Sequence, residues 1–257
     1  MRILIIPDVH GRPFWKKAKE MVGDVDKVIF LGDYHDPYQY EGISPDMSMR
    51  NLLEIEEFVT ENADKVVMLV GNHDLSYIDG MDVGANRFDM DNLNAIIAVF
   101  KRLDSKMSLA YAHTDNGKTF LFTHAGVVPQ WAEMYMPEEV VADAYAFADE
   151  VNKWFAEKSH SDALGDVGFS RNGDSDYSSM VWADYSDIID SYLMLTEDSG
   201  MRRPRPSYYQ IFGHTQQYDM QSDKDIFTPS IMGDYACLDC HRPFLLEDGV
   251  IKEIWDL

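Results

Sequence analysis

Three short, mainly apolar runs in the first third of the chain each end directly in a polar motif. These runs, residues 3–6, 28–31 and 65–70, have the length and composition of buried strands. A stretch with helical features separates each run from the next. A strand, a helix and a second strand favour a parallel pair with a right-handed crossover. We therefore expect the polar residues after these strands to meet, because the carboxyl ends of parallel strands share one sheet edge.

The residues after these runs, and after two runs later in the chain, are of the types that bind metal ions. The predicted ligand set is Asp8, His10, Asp33, Asn72, His124 and His214. Carboxylate, amide and imidazole groups together suit borderline ions such as Mn, Fe, Zn or Co better than Ca or Mg. Asp33 can offer one carboxylate oxygen to each of two cations. Two such ions about 3.5–4 Å apart can hold a phosphate and activate a water for in-line attack.

Each motif by itself also has an ordinary structural explanation. Asp-x-His occurs often by chance, Gly-Asn-His-Asp can form a turn, and a histidine after a strand is often a hydrogen-bonded structural residue. Five such motifs, all after predicted strands, favour a functional site over five separate coincidences. His35 either faces this site or packs within its loop, whereas His113, His160 and His241 have no motif around them and are expected to be structural.

The remaining segments predict further strands and helices. Helical spacing appears at residues 48–62, 93–103 and 137–158, and the last of these is expected to be one long helix. Strands are predicted at residues 108–112, 118–123, 208–212, 227–238, 244–246 and 250–255, with a hairpin turn at residues 115–117. Residues 79–91 and 159–176 are expected to be loops. Because no linker or internal repeat divides the chain, we predict a single domain over residues 1–257.

Charge and hydropathy limit the partners of this chain. The formal net charge is −23, from 45 acidic against 22 basic residues. An acid excess repels phosphate backbones, so nucleic acid is not expected as a main partner. No apolar run approaches the roughly 18 residues that a membrane span needs. The first residues lack the length and cleavage site of a secretory signal, so we expect a cytoplasmic protein without a membrane partner.

Two cysteines, Cys237 and Cys240, have the spacing C-x-x-C. This spacing is typical of a redox pair or of half a zinc site. A zinc site would need a second pair of ligands nearby, and the only close candidate is His241. We therefore favour the alternative that they are two small residues at the end of a late strand.

Taken together, the motifs resemble those of the calcineurin-like metallophosphoesterase superfamily. The segments that carry the resemblance are PDVHG, GDYHD, GNHD, THAG and GHT, between Asp8 and His214. They look closest to the phosphoprotein phosphatase branch, which includes Ser/Thr protein phosphatases and dinucleoside polyphosphate hydrolases. The resemblance implies a mixed α/β (α+β) fold in which a β-sandwich is flanked by helices in four layers, αββα. It also implies two divalent metal ions, with Mn, Fe or Zn as the candidates.

The resemblance further implies a role for each matching residue. The first metal would be held by Asp8, His10 and Asp33, and the second by Asp33, Asn72, His124 and His214. Asn72 would also contact the substrate. His73 would protonate the leaving oxygen, and Asp36 would orient His73. That role is chemically reasonable by itself, because an imidazole with a pKa of about 6.5 suits proton transfer at neutral pH and a carboxylate partner raises that pKa.

The chain departs from the family pattern at one position. In that pattern the motif after the bridging aspartate usually reads Asp-Arg-Gly, and the arginine binds phosphate. Here the same segment reads Asp36-Pro37-Tyr38. Arg12 follows the first motif directly and is the predicted substitute. Further candidates, from segments that could overhang the site, are Arg171, Arg202, Arg203 and Arg205.

The sequence therefore predicts a metal-dependent phosphatase that acts on phosphomonoesters of a protein or a small molecule. One alternative is a hydrolase of dinucleoside polyphosphates, because the residues from Gly71 to Leu75 resemble that subgroup. A second alternative is a metal-binding scaffold that lost its activity together with the missing arginine. The intact ligand set and proton donor argue against a scaffold. The sequence makes no prediction of the oligomeric state.

Overall fold

The computed structural model describes residues 1–78, 80–194, 206–217 and 227–254. Their strands are β1 (Arg2–Ile6), β2 (Lys27–Phe30), β3 (Val66–Leu69), β4 (Met107–Ser108), β5 (Ala110–Asp115), β6 (Lys118–Thr123), β7 (Tyr209–Phe212), β8 (Ser230–Ile231), β9 (Tyr235–Cys237), β10 (Phe244–Glu247) and β11 (Val250–Glu253). One sheet has the order β11-β10-β1-β2-β3-β4, and the second has the order β5-β6-β7-β9-β8.

The helices lie between these strands. They are α1 (Lys17–Met21), α2 (Pro45–Glu61), α3 (Asn72–Leu75), α4 (Leu93–Leu103), α5 (Pro129–Tyr135), α6 (Glu138–Val141), α7 (Ala144–Glu157), α8 (Ser161–Leu164) and α9 (Tyr185–Met194), with 3-10 turns at Pro13–Lys16, Gln39–Glu41, Asp104–Lys106 and Phe169–Arg171. Within the described residues, no helix combines the length and the apolar character needed to cross a membrane.

The strands that precede the polar motifs are parallel. β1 pairs with β2 and β2 pairs with β3 in parallel, with Ile5 opposite Ile29 and Ile29 opposite Val67. In the second sheet β6 and β7 are parallel as well. The carboxyl ends of β1, β2 and β3 therefore lie at one edge of their sheet, as the sequence predicted.

Alternate residues of β1 belong to two different cores. Leu4 and Ile6 pack with residues of the helices, while Ile3 and Ile5 pack with residues of the second sheet such as Phe120. This follows from the strand geometry, in which successive side chains point to opposite faces. Two sheets that share one core and carry helices on their outer faces form a β-sandwich flanked by helices, and this confirms the predicted fold class. The shared core supports the single domain, which stays a prediction.

The helix predicted over residues 137–158 is wrong, because two helices, α6 and α7, occupy this stretch. Asp143 stands between them in an extended conformation, with φ −113° and ψ 118°. Its carboxylate accepts hydrogen bonds from the backbone N–H groups of Tyr145 and Ala146, both at 2.9 Å. Asp143 thus caps a new helix. The apolar spacing continues across the break, so periodicity alone could not locate it.

Replacing Asp143 by Ala is expected to lower the free energy of unfolding by about 1 kcal/mol, because two N–H groups of α7 lose their acceptor. The midpoint of thermal unfolding should fall by about 2–4 °C. Asp149→Ala, at an exposed position in the interior of α7, is the matched control and should not lower the midpoint. Equal shifts for both variants would contradict the capping role.

Several other segments differ from the sequence prediction. The predicted loop at residues 159–176 contains α8 and a 3-10 turn. The sequence prediction missed α5 and α9, and it assigned one strand where β8 and β9 are separate. The last strand, predicted to reach Trp255, ends at Glu253 in the structure, and Trp255 lies outside the described residues. In these segments, packing against the rest of the chain decides the local structure.

Candidate metal centre

The structure brings the predicted metal ligands together at the ends of strands from both sheets. Ligand atoms of Asp8, His10 and Asp33 lie within 4.8 Å of one another, and so do those of Asp33, His124 and His214. Both groups therefore contain Asp33. The remaining predicted ligand, Asn72, follows β3, and its amide oxygen lies 3.1 Å from His124 Nε2. One carboxylate is thus shared by two adjacent groups of candidate ligands.

The two oxygens of Asp33 have different neighbours. Oδ2 lies 3.3 Å from His10 Nε2 and 3.5 Å from His124 Nε2, so one imidazole from each group faces the same oxygen. Oδ1 accepts a hydrogen bond from the backbone N–H of His73 at 3.1 Å. The Asp33 side chain is 2% exposed, which leaves these protein groups as its main surroundings.

Four residues of this region have a left-handed backbone although none is glycine. The φ angles are 44° at His10, 52° at Asp33, 56° at Asp36 and 65° at His214. This conformation costs of order 1–3 kcal/mol per residue and persists only where the surrounding structure enforces it. Such strain concentrates at functional sites.

Asp74 holds the strained loop in place, a role that the sequence analysis did not assign. Its Oδ2 accepts the backbone N–H groups of Asp33 at 2.7 Å and Gly71 at 2.9 Å. Its Oδ1 accepts the N–H of Tyr34 at 3.0 Å. One buried carboxylate therefore ties the end of β2 to the start of α3. The last residue of the Gly-Asn-His-Asp motif was the available signal, because an acidic residue at this position can cap a helix.

The orientation of the histidines suits metal binding. His10 Nδ1 lies 2.9 Å from the carbonyl oxygen of His35, and His124 Nδ1 lies 2.9 Å from the carbonyl oxygen of Leu31. A hydrogen bond from Nδ1–H to a carbonyl leaves Nε2 unprotonated and able to bind a metal. Both Nε2 atoms face Asp33.

Two polar atoms of the cluster are buried without a hydrogen-bond partner in the part of the chain that the structure describes. They are Oδ2 of Asp8 and Nε2 of His214. Glycines make room beside the carboxylates. A Cβ atom on Gly213 would lie 1.9 Å from Asp8 Oδ2, and one on Gly71 would lie 2.1 Å from Asp33 Oδ1. Buried ligand atoms without a hydrogen-bond partner, next to glycines that leave room for the carboxylates, are what a site for divalent cations requires.

Burial sets the protonation of the histidines. Desolvation lowers the pKa of His10 to about 3, although Asp33 raises it in part. Desolvation also lowers the pKa of His124, and it lowers that of His214 well below the usual range with help from Arg171. These imidazoles are therefore neutral at pH 7, and the neutral form is the one that binds a metal.

The buried carboxylates repel one another. Burial raises the pKa of Asp8 well above its usual value, and the charges of Asp239 and Asp33 raise it further. Burial likewise raises the pKa of Asp239 to about 7, and the charge of Asp33 adds to the shift. For Asp33 burial also acts upward, but the positive charge that the surrounding imidazoles carry when protonated, first that of His124, outweighs it and lowers the pKa. Cations bound here would relieve the repulsion.

Replacing Gly213 by Ala should disrupt this centre, because the added methyl group would collide with Asp8 Oδ2. We expect the free energy of unfolding to fall by roughly 1–3 kcal/mol, the usual cost of overpacking. Bound metal should fall with it, measured by elemental analysis of the purified protein. Gly233→Ala is the control, since a Cβ there meets no atom within 4 Å. Full metal content in Gly213→Ala would contradict the expected collision with Asp8 Oδ2.

His73 and Asp36 form a hydrogen-bonded pair beside the cluster. His73 Nδ1 lies 2.8 Å from Asp36 Oδ2, and the hydroxyl of Tyr77 donates to Asp36 Oδ1. The ring centroids of His73 and His10 are 5.2 Å apart. The structure therefore places the predicted proton donor next to a predicted ligand, with its Nδ1 held by a buried carboxylate.

Comparison with known proteins identifies the family. The sequence model described as calcineurin-like phosphoesterase matches residues 1–218. The chain belongs to the calcineurin-like phosphoesterase family. This confirms the resemblance seen in the motifs and supports a phosphoesterase hydrolase. A comparison with curated proteins gives no match.

Several solved structures are similar to this chain over part or all of its length. A cold-active protein-tyrosine phosphatase from a psychrophilic Shewanella species has a TM-score of 0.52 at 14% identity, covering 99% of this chain and 80% of that one. A protein serine/threonine phosphatase from Saccharomyces cerevisiae has a TM-score of 0.42 at 12% identity, covering 100% and 80%. A phosphoesterase from E. coli has a TM-score of 0.28 at 16% identity, covering 49% and 58%.

The arginines predicted to replace the phosphate-binding arginine of the family are held by protein groups. Arg12 binds the carboxylate of Glu41 through Nε and a terminal nitrogen at 2.9–3.0 Å, and it donates to the Asp8 carbonyl at 3.1 Å. Arg171 pairs with Asp184 at 2.9 Å and donates to Thr215 Oγ1 at 2.8 Å. Both guanidinium charges are thus paired with carboxylates of this phosphoesterase. Arg202, Arg203 and Arg205 lie outside the described residues.

The other histidines and the cysteines lie outside the two ligand groups. His35 is buried, with its ring nitrogens bonded to Ser48 and to Asp89, so it packs within its loop region. His160 stacks on Trp154 with ring centroids 4.3 Å apart. Both cysteines are buried and unpaired, and Cys237 donates to the Thr215 carbonyl at 3.2 Å. This arrangement favours two small packed residues over a redox pair.

Sequence reasoning missed one cation of the site, Arg87. A terminal nitrogen of its guanidinium lies 2.9 Å from His73 Nε2. Arg87 stands in the segment that the sequence predicts as a polar loop, and in the structure residues 81–92 contain no helix or strand. No motif or periodicity surrounds it, so the sequence offered no signal that this arginine reaches the centre.

Proposed function

We propose that this protein is a dinuclear metal-dependent phosphatase that hydrolyses phosphomonoesters. The observation that carries the proposal is the position of Asp33, whose carboxylate belongs to both groups of candidate ligands. Membership of the calcineurin-like phosphoesterase family supports the reaction class. The substrate is then a phosphorylated protein or small molecule.

The ligand residues divide into two sets around that carboxylate. We infer that Asp8, His10 and Asp33 hold one cation and that Asp33, Asn72, His124 and His214 hold the other. When bound, two ions such as Mn, Fe or Zn would supply an activated water and neutralise phosphate charge. The protein contributes the fixed geometry, because backbone carbonyls orient the imidazoles and Asp74 fixes the loop that presents the shared carboxylate.

His73 would give a proton to the leaving oxygen. Asp36 accepts the hydrogen bond from Nδ1, so Nε2 is the atom that can carry the proton toward the substrate. Tyr77 donates to the other oxygen of Asp36 and keeps that carboxylate from turning away. A charged carboxylate beside the ring also stabilises the imidazolium that donates the proton.

A substrate panel tests the proposed reaction. The metal-free protein, prepared with a chelator, is reloaded with Mn, Fe or Zn and assayed on p-nitrophenyl phosphate, phosphoserine and phosphotyrosine peptides, a phosphodiester and a dinucleoside tetraphosphate. We expect hydrolysis of the phosphomonoesters by loaded protein and none by the metal-free protein. Preferential cleavage of the anhydride would contradict the proposal, and so would loaded protein that hydrolyses nothing in the panel.

A further inference from the structure

We propose that Arg87 binds the phosphate of the substrate, in place of the arginine that the family motif carries where this chain has Pro37. This inference rests on the proposed function, because it takes the phosphate to be held at the candidate metal centre. Arg87 would act from the segment that joins α3 to α4, far from the motif in sequence.

The position of the guanidinium agrees with this role. A terminal nitrogen of Arg87 donates to His73 Nε2 at 2.9 Å. In the proposed reaction this Nε2 faces the leaving oxygen of the substrate. A phosphate whose leaving oxygen reaches His73 therefore lies within reach of the Arg87 guanidinium. Binding such a phosphate would draw the guanidinium from Nε2 onto the phosphate oxygens, because an anion is the stronger acceptor. Nε2 would then be free to take up the proton that it gives to the leaving oxygen.

The charge of Arg87 is not neutralised by the described part of the protein. No carboxylate of the described residues forms an ion pair with it, and its Nε is buried without a hydrogen-bond partner among them. Arg12, by contrast, has its Nε and one terminal nitrogen on Glu41. A buried donor without a partner is costly, so an acceptor from a ligand would be stabilising here. The planar guanidinium fork matches the geometry of phosphate oxygens.

The guanidinium of Arg87 packs over an aromatic ring. Its carbon lies 3.6 Å from the centroid of the Tyr38 ring, and that ring is 5.0 Å from the ring of His10. Tyr38 follows the Asp36-Pro37 segment directly. Tyr38, next to the position where the family has its arginine, therefore contacts Arg87, which places a cation near the region where the family motif would have put one.

The backbone next to Arg87 is held by contacts with Tyr77. Arg87 itself has a left-handed backbone, with φ 60°. Phe88 stacks on Tyr77 with ring centroids 4.4 Å apart, and the N–H of Asp89 donates to the Tyr77 hydroxyl at 2.7 Å. The same hydroxyl donates to Asp36. One tyrosine thus positions both the donor pair and the segment that carries Arg87.

A cavity beside Arg87 gives the rest of the substrate a place to lie. Its volume is about 400 Å³, and Arg87 lines it together with apolar side chains such as Pro37 and Phe88 and acidic ones, Asp89 and Asp91. Arg87 therefore stands between His73 and a cavity that can take the organic part of a phosphomonoester.

Phosphate binding tests the role of Arg87 without turnover. Inorganic phosphate is titrated calorimetrically into the Mn-loaded protein and into variants whose Mn content and thermal unfolding are measured in parallel. We expect Arg87→Ala to weaken phosphate binding by about 10- to 100-fold, because charge-assisted hydrogen bonds to the anion are lost. The phosphate affinity of Arg87→Lys should lie between those of wild type and Arg87→Ala, since lysine keeps the charge but loses the planar fork. The matched control is Arg102→Ala, whose exposed guanidinium pairs with Glu56.

The outcomes separate this inference from the proposed function. If Arg87→Ala binds phosphate as tightly as wild type, the role of Arg87 is overturned even if the protein is a phosphatase. The same follows if phosphate affinity is lost in Arg12→Ala but not in Arg87→Ala at equal Mn content. Wild-type protein that binds phosphate through Arg87 but hydrolyses no monoester supports the role and contradicts the proposed function. In an active enzyme, Arg87→Ala should raise KM about as much as it weakens phosphate binding, and a change in kcat alone overturns the role.

Discussion

Replacing Asp33 by Asn is expected to lower kcat for p-nitrophenyl phosphate by at least about 10³-fold, because the metal ions contribute several kcal/mol to such reactions. An amide has one neutral oxygen, and when that oxygen accepts from the His73 N–H, an NH₂ group replaces the Oδ2 atom that faces both groups of ligands. The substitution is nearly isosteric, and its oxygen can still accept the hydrogen bond from the His73 backbone. The fold should therefore survive, and bound Mn should fall below two ions per chain.

The measurement combines metal content by elemental analysis with kcat under saturating Mn. Asp149→Asn, at an exposed position of α7, controls for the loss of a negative charge elsewhere and should keep both quantities. Two Mn ions and near wild-type kcat in Asp33→Asn would exclude a bridging role for this carboxylate.

Replacing His73 by Asn is expected to lower kcat by about 10²- to 10⁴-fold, the usual contribution of a positioned acid or base, while the metal content stays unchanged. The loss should depend on the leaving group. Phenyl phosphate releases a basic oxygen that needs a proton, whereas p-nitrophenyl phosphate releases a stable anion. We therefore expect a larger loss with phenyl phosphate.

Asp36→Asn is the companion variant, because it keeps the shape of the side chain but removes the charge beside His73 Nδ1. Its loss in kcat should be smaller than that of His73→Asn and should follow the same order of leaving groups. Equal losses on both aryl phosphates would contradict proton transfer by His73, and loss of bound metal in His73→Asn would assign His73 a role in metal binding.

The part of the fold that carries the site could be predicted because its signals are local. Apolar runs of strand length, separated by helical stretches, give parallel strands, and the residues after parallel strands meet at one edge. The same reasoning applies to His124 and His214, which follow the parallel strands β6 and β7. The convergence of the predicted ligands thus follows from topology, without knowledge of any contact.

Other features depend on contacts that no local pattern encodes. The helix break at Asp143 lies within continuous apolar spacing, and only the capping hydrogen bonds reveal it. Arg12 was expected near phosphate, but Glu41 binds its guanidinium from a separate 3-10 turn. Arg87 reaches His73 from a segment without helix or strand, because Tyr38 and Tyr77 hold it by tertiary contacts. Sequence patterns therefore indicated the candidate ligands, whereas tertiary packing placed Arg87 beside His73.

The most direct measurement is anomalous X-ray diffraction from crystals of the Mn-loaded protein, with data collected on both sides of the Mn absorption edge. We predict two anomalous peaks about 3.5–4 Å apart, with one oxygen or both of the Asp33 carboxylate between them. A single peak, or two peaks that share no ligand at Asp33, would contradict a dinuclear centre built on this carboxylate.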